Sequence, residues 1–118
     1  MQLDVCSAWG ISHAQAKDAL RITNDWLLRA KSEWQLCRNE AYQGYLFPIV
    51  QGNFFKDLRK ESADFVSNLD MPGIAIGGLS VGEPQEVYQE MLSFTAPLLP
   101  YNKVKYVMGI GTPDFILD

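Results

Sequence analysis

Cysteine is scarce. Cys6 and Cys37 are the only two in 118 residues, too few for a disulfide framework or a zinc ribbon, and a reduced, cytoplasmic setting fits that usage. His13 is the single histidine; it follows a helix-cap signal and is expected to face solvent, which leaves Cys6 without an imidazole partner for nucleophilic chemistry. No apolar run approaches the roughly 18 residues of a membrane span. Met1-Gln2-Leu3-Asp4 lacks the basic and apolar regions of a secretory signal. No repeat, low-complexity tract or linker divides the chain, so residues 1–118 are read as one segment. A broad basic field is missing too. Residues 1–60 carry eight Lys/Arg against six Asp/Glu, and residues 61–118 carry two against eight. Contact with nucleic acid would be local, or helped by other segments.

Hydrophobic residues make up 47 % and charged residues 20 %, the composition of a folded domain. Met1–Val5 reads as the end of a strand. Ser12 opens a helix, with Gln15 completing a capping box. Ala16, Leu20, Thr23, Leu27, Ala30, Trp34 and Cys37 alternate at spacings of four and three, which predicts one buried stripe. No Gly or Pro interrupts residues 12–43, so the helix can run to about Asn39. Tyr45–Val50 reads as a second strand, Gln51-Gly52-Asn53 as a turn with Asn53 capping the next helix. That helix is expected to turn Phe55, Leu58, Ser62, Phe65, Val66 and Leu69 inward and Lys56, Arg59, Lys60 and Asp64 outward. Ile74–Ile76 is a third strand. Pro84 suits the first turn of a helix burying Val87, Met91, Leu92 and Phe94. Val104–Met108 is a fourth strand, and Thr112-Pro113 begins another helix.

Strands that are near-continuous apolar runs, alternating with helices, imply parallel pairing under helical cover. Either a small doubly wound sheet or a sector of a (β/α) barrel meets this pattern. In both, chemistry sits at the carboxyl ends of strands, and the polar and glycine-rich residues lie there. Asp4 can accept two hydrogen bonds from an edge such as N1–H and the exocyclic amine of guanine, or serve as a cap or surface acid. Gln51 can read a base edge or bond its own turn. Gly77-Gly78 lets a ligand approach the backbone closely, or simply makes a tight turn; its spacing does not meet the dinucleotide fingerprint. Met108 can lie against a flat ring or fill core. Glu83 can favour a helix start through the dipole.

Taken together, Leu3-Asp4-Val5-Cys6, Phe47-Pro48-Ile49-Val50-Gln51-Gly52, Ile76-Gly77-Gly78-Leu79-Ser80-Val81-Gly82-Glu83 and Tyr106-Val107-Met108-Gly109-Ile110-Gly111-Thr112-Pro113 succeed one another at βα-unit spacing. This set resembles the central part of the tRNA-guanine transglycosylases, also called queuine tRNA-ribosyltransferases. The likeness covers nearly the whole chain and is weakest over residues 7–45. It implies an α/β fold: a partial (β/α)8 TIM-barrel sector of about four parallel strands with intervening helices. It also implies exchange of guanine at the tRNA wobble position for a 7-deazaguanine, through a covalent ribosyl-enzyme intermediate.

By that resemblance, Asp4 pairs with the base edge, Gln51 bonds the base and the Gly78 amide meets its carbonyl oxygen. Leu79 offers its backbone carbonyl to an aminomethyl group, and Met108 lies under the ring. Cys6, Gly77, Val81, Glu83 and Tyr106 support the pocket; Cys6 and Val81 match the bacterial type, which suits the smaller pre-queuosine base. Gly109-Ile110-Gly111-Thr112-Pro113-Asp114-Phe115 matches a stretch that contacts tRNA. The resemblance further implies zinc and a homodimer in the full-length enzyme. The nucleophilic Asp and the zinc ligands, a three-cysteine cluster and a histidine, are expected outside this chain, so no catalytic residue and no bound cofactor are expected within it. The competing readings are a non-catalytic half-barrel that binds base or RNA, and an unrelated small α/β phosphate binder.

Overall fold

Ser12 and Gln15 form their capping box: the Gln15 amide donates to the Ser12 hydroxyl at 3.2 Å and the Ser12 amide to the Gln15 side-chain oxygen at 3.0 Å. Two N–H groups that a helix start leaves over are thereby satisfied. In this computed structural model, which describes residues 1–117, helix α1 (His13–Cys37) starts there and buries Ala16, Leu20, Thr23 and Leu27. Ala30 and Trp34 are half-buried against the core.

The stripe then runs out. Cys37 is exposed, and its thiol donates to the Glu33 carboxylate at 3.3 Å. The returning chain packs beside Trp34 instead of over Cys37: the Trp34 indole N–H donates to the Gly44 carbonyl at 2.7 Å. Arg38 lies over the Trp34 and Tyr45 rings at 4.8 and 5.4 Å. Periodicity fixes which way a side chain points, not whether anything covers it.

Three parallel strands come next, β1 (Ile49–Val50), β2 (Gly73–Ile76) and β3 (Val104–Val107), in the order β1-β2-β3. Ile49 is in register with Ala75, and Ala75 with Tyr106. Helix α2 (Lys56–Ser67) crosses from β1 to β2; α3 (Gln85–Thr95) and a 3-10 turn (Ala96–Leu98) cross from β2 to β3; α4 (Pro113–Leu117) comes after β3. The sheet stays open among the described residues. This open alternation of parallel strands and helices is consistent with a sector of a (β/α) barrel.

The core lies where α1, α2 and α3 meet the sheet. It gathers Leu27, Val50, Val66, Ile74, Ile76 and Met91, with a satellite of Ala16, Leu20 and Leu58 under Phe55. Strand β2 is buried along its whole length. Strand β3 is an edge, with Val104 63 % and Tyr106 48 % exposed.

Met1–Val5, expected as a fourth strand, makes no ladder. Its groups are taken singly: the Ile49 amide donates to the Gln2 side-chain oxygen at 3.2 Å, and the Val5 amide to the Thr23 hydroxyl at 2.9 Å. The segment is thus tied beside β1 by side chains. The second expected strand is shorter than Tyr45–Val50, and Tyr45 lies 65 % exposed.

Asn53 does not cap α2. It sits in the left-handed region (φ 53), and its side-chain amide donates to the Ser7 and Ala8 carbonyls at 3.3 and 3.0 Å. Phe55 occupies the cap position, with no side-chain cap bond.

Candidate functional site

Parallel strands end in the same direction, so the residues just after them share one rim. After β1 comes Gln51, 3 % exposed. Its amide donates to the Ser62 hydroxyl at 3.0 Å, and its side-chain Nε2 donates to Asp4 Oδ2 at 2.6 Å. After β2 come Gly77 and Gly78. A Cβ on Gly77 would lie 2.8 Å from Gln51 Nε2 and 3.5 Å from Met108 Sδ. Gly78 has φ +71, and a Cβ there would run into Gln51 Oε1. Glycine is therefore needed twice over at Gly78, for the backbone angle and for the close side chain. After β3 comes Met108, half-buried, with its amide on the Ile76 carbonyl at 3.0 Å.

Cys6 joins this rim. Its exposed thiol lies near Asp4, Gln51, Arg59 and the Gly78 backbone. Desolvation and the Asp4 carboxylate push the thiol's pKa up; the Gly78 backbone, Arg59 and Gln51 pull against them. Asp4, Cys6, Gln51, Gly77, Gly78 and Met108 thus come from four separate segments to one place. Together they supply one carboxylate, one side-chain amide, a glycine backbone and a thioether. These are the groups needed to hold a flat polar ring by its edge and one face.

Beside it stands a brace. Glu83 accepts the Ser80 amide at 2.5 Å on one carboxylate oxygen and the Val81 amide at 2.7 Å on the other. Ser80 is left-handed (φ 59), a conformation that costs a non-glycine residue about 1–2 kcal/mol, and the two charge-assisted bonds hold it there. Since the Ser80 N–H shares a peptide with the Leu79 carbonyl, Glu83 also turns that carbonyl away from itself. The Leu79 side chain is buried in the core. Val81 accepts the Trp9 amide at 3.2 Å through its carbonyl, which ties the first loop to this one.

Tyr106 stands lower, opposite Ala75 within β3. Gly109–Thr112 and Phe115, but not Pro113 or Asp114, line a different hollow, about 240 Å³, together with Ser80, Glu83, Gln85 and Tyr88. Phe115 closes it edge-on against Tyr88, with ring centroids 5.3 Å apart. This hollow shares Glu83 and the Ser80 corner with the rim but not Asp4 or Gln51.

Arg59 was expected on the outer face of α2. It is fully buried instead, beneath Gly77 and Gly78. A sequence signal exists: Arg59, Ser62, Ala63 and Val66 form a stripe at helical spacing, and the small Ser62 and Ala63 mark a face packed close to something. His13 lies exposed as expected, paired with Asp57 at 2.7 Å between the starts of α1 and α2. Among the described residues no three His, Cys, Asp or Glu side chains gather to hold a metal ion. The residues present therefore do not fit a zinc site.

The family model described as queuine tRNA-ribosyltransferase matches residues 1–118. Curated relatives carry the same description. The one from Treponema denticola is 57 % identical over the whole of this chain and 31 % of its own length. That of Borrelia hermsii is 52 % identical, with the same coverage of both chains. That of Shouchella clausii is 42 % identical over all of this chain and 30 % of its own. The chain thus spans less than a third of the length of the relatives it matches. With a match from first residue to last, and with the barrel sector that the fold displays, this chain belongs to the queuine tRNA-ribosyltransferase family.

Proposed function

We propose that this chain carries the base-recognition part of a bacterial-type tRNA-guanine transglycosylase, a pentosyltransferase that exchanges guanine at the tRNA wobble position for a 7-deazaguanine in queuosine biosynthesis. The observation that carries this reading is the meeting of Asp4, Gln51 and the Gly77-Gly78 backbone at one rim, with Asp4 and Gln51 bonded at 2.6 Å. One Asp4 oxygen is held by Gln51. The carboxylate retains acceptor capacity for the N1–H and exocyclic amine of guanine or the pre-queuosine base.

In this reading the Gly78 amide donates to the base carbonyl oxygen, Gln51 adds an amide contact and Met108 supports the ring face. Glu83 sets the Leu79 carbonyl toward an aminomethyl substituent. Gly77, Cys6, Val81 and Tyr106 shape the pocket. Gly109, Ile110, Gly111, Thr112, Pro113, Asp114 and Phe115 meet tRNA; they bring no basic side chain, so backbone N–H groups do the work. The nucleophilic carboxylate is not among these residues, and the covalent step belongs elsewhere in the enzyme. The reaction's setting is cytoplasmic and its working form a homodimer. Among the described residues no helix is long and apolar enough to cross a membrane.

Two assays test the reading together. Equilibrium dialysis of the 118-residue chain against labelled guanine should register binding, and incubation with tRNA and labelled guanine should give no incorporation, because a covalent glycosyl intermediate needs a positioned nucleophile. No guanine binding up to its solubility limit, or measurable incorporation by this chain alone, contradicts the assignment.

A further inference from the structure

Among the described residues Arg59 is the largest fully buried side chain, at 0 % exposure. Its guanidinium donates to backbone carbonyls: Nε to Asn53 at 2.7 Å, Nη1 to Gly77 at 2.7 Å and Nη2 to Gly78 at 3.1 Å, with Val50 at 3.5 Å from Nη1. None of the ion pairs among the described residues includes it. Burial pulls its pKa down to about 10, against the nearby Cys6 and Glu83, which hold it up. It is therefore a cation at neutral pH, buried without a salt bridge. A large apolar side chain could fill that space without the cost of desolvating a charge. The cation must therefore be doing something that packing does not.

Its contacts define that role. In a trans peptide the carbonyl and the following N–H point opposite ways. The Gly77 carbonyl and the Gly78 N–H share one peptide. With that carbonyl turned down onto Arg59, the Gly78 N–H points the opposite way, up and away from the guanidinium. A glycine pair would otherwise be free to flip this peptide. A cation on the carbonyl oxygen also draws charge across the amide and makes the N–H a stronger donor.

We propose that Arg59 is a positioning residue of the base site, which aims and polarises the Gly78 amide for donation to the carbonyl oxygen of the bound purine. This rests on the base-binding reading above.

The test compares guanine with 6-thioguanine, which keeps the N1–H and the exocyclic amine but replaces the oxygen with a weakly accepting sulfur. Both are titrated by calorimetry into the parent chain and into Arg59→Lys. The parent should prefer guanine. Arg59→Lys should lose at least tenfold in guanine affinity and under twofold for 6-thioguanine, so that the preference collapses. Equal losses for both bases mean a merely structural role and overturn the proposal, as does unchanged guanine binding. If the parent binds neither base, the base-binding reading itself has failed. Should Arg59→Lys not fold, the parent decides: its Gly78 amide proton should move downfield on adding guanine, and an unmoved Gly78 resonance overturns the proposal.

Discussion

Replacing Asp4 by Asn removes one charge and almost no volume, which isolates the hydrogen bonding. In the parent, Asp4 Oδ2 accepts from Gln51 Nε2 at 2.6 Å, and the carboxylate has further lone pairs for the base. An asparagine has a single oxygen. If that oxygen stays on Gln51, the NH2 group faces the donating edge of guanine; if the amide flips, NH2 faces the Gln51 NH2. Either way two donors meet. A lost hydrogen bond to a charged group costs about 1.5–3 kcal/mol, or roughly ten- to hundredfold in affinity. Calorimetric titration with guanine measures this. A second readout checks that the local cluster is intact. Because the Asp4 carboxylate helps to hold the Cys6 thiol pKa up, Asp4→Asn should lower it, and Cys6 should react with iodoacetamide at lower pH than in the parent. An Asp4→Asn chain that binds guanine as tightly as the parent refutes the role given to Asp4.

Cys37, exposed beyond the last covered turn of α1, should be alkylated in the native chain nearly as fast as in denaturant. Its pKa is raised, first by the Glu33 bond, so Glu33→Gln should speed that labelling near neutral pH. Gly78→Ala should destabilise the fold by about 1–2 kcal/mol, since alanine is forced into the left-handed region, and should weaken guanine binding by displacing Gln51; chemical denaturation and calorimetry read the two effects. Asp57 and Asp70 have pKa values lowered by His13 and Lys103 respectively. Their contribution to stability is therefore present above the usual carboxylate value of about 3.9 and is lost as pH falls through the lowered values. Asp57→Asn/Asp70→Asn should lose part of the drop in melting temperature on acidification below about pH 4; an unchanged drop means that neither pair matters to stability.

Features set by neighbours along the chain were legible in the sequence. The Ser12/Gln15 capping box, the Ala16-to-Leu27 stripe and the alternation of helices and strands from Ser12 onward depend on spacings of a few residues, and they stand as read. Parallel strands deliver their C-terminal loops to one rim, which is where Gln51, Gly77, Gly78 and Met108 lie. The features that could not be read depend on partners far away in sequence. Arg59 looks like a surface residue of an amphipathic helix until the Gly77 and Gly78 carbonyls are placed above it. Asn53 suits a cap until the Ser7 and Ala8 carbonyls claim its amide. Cys37 continues an apolar stripe past the point where the sheet has anything to cover it. Met1–Val5 has strand composition, but the Gln2 side chain takes the Ile49 amide that a ladder would use.

The central claim is that the rim built from Asp4, Gln51, Gly78 and Met108 holds a purine base. The most direct test is nuclear magnetic resonance of the labelled 118-residue chain during titration with guanine. The Gly78 and Leu79 amides, the Gln51 side-chain amide and the Met108 methyl should shift together, the methyl upfield as the ring current of a base stacked on it requires. Shifts confined to the hollow beside Tyr88 and Phe115, or a Met108 methyl that does not move while guanine binds, would contradict the account.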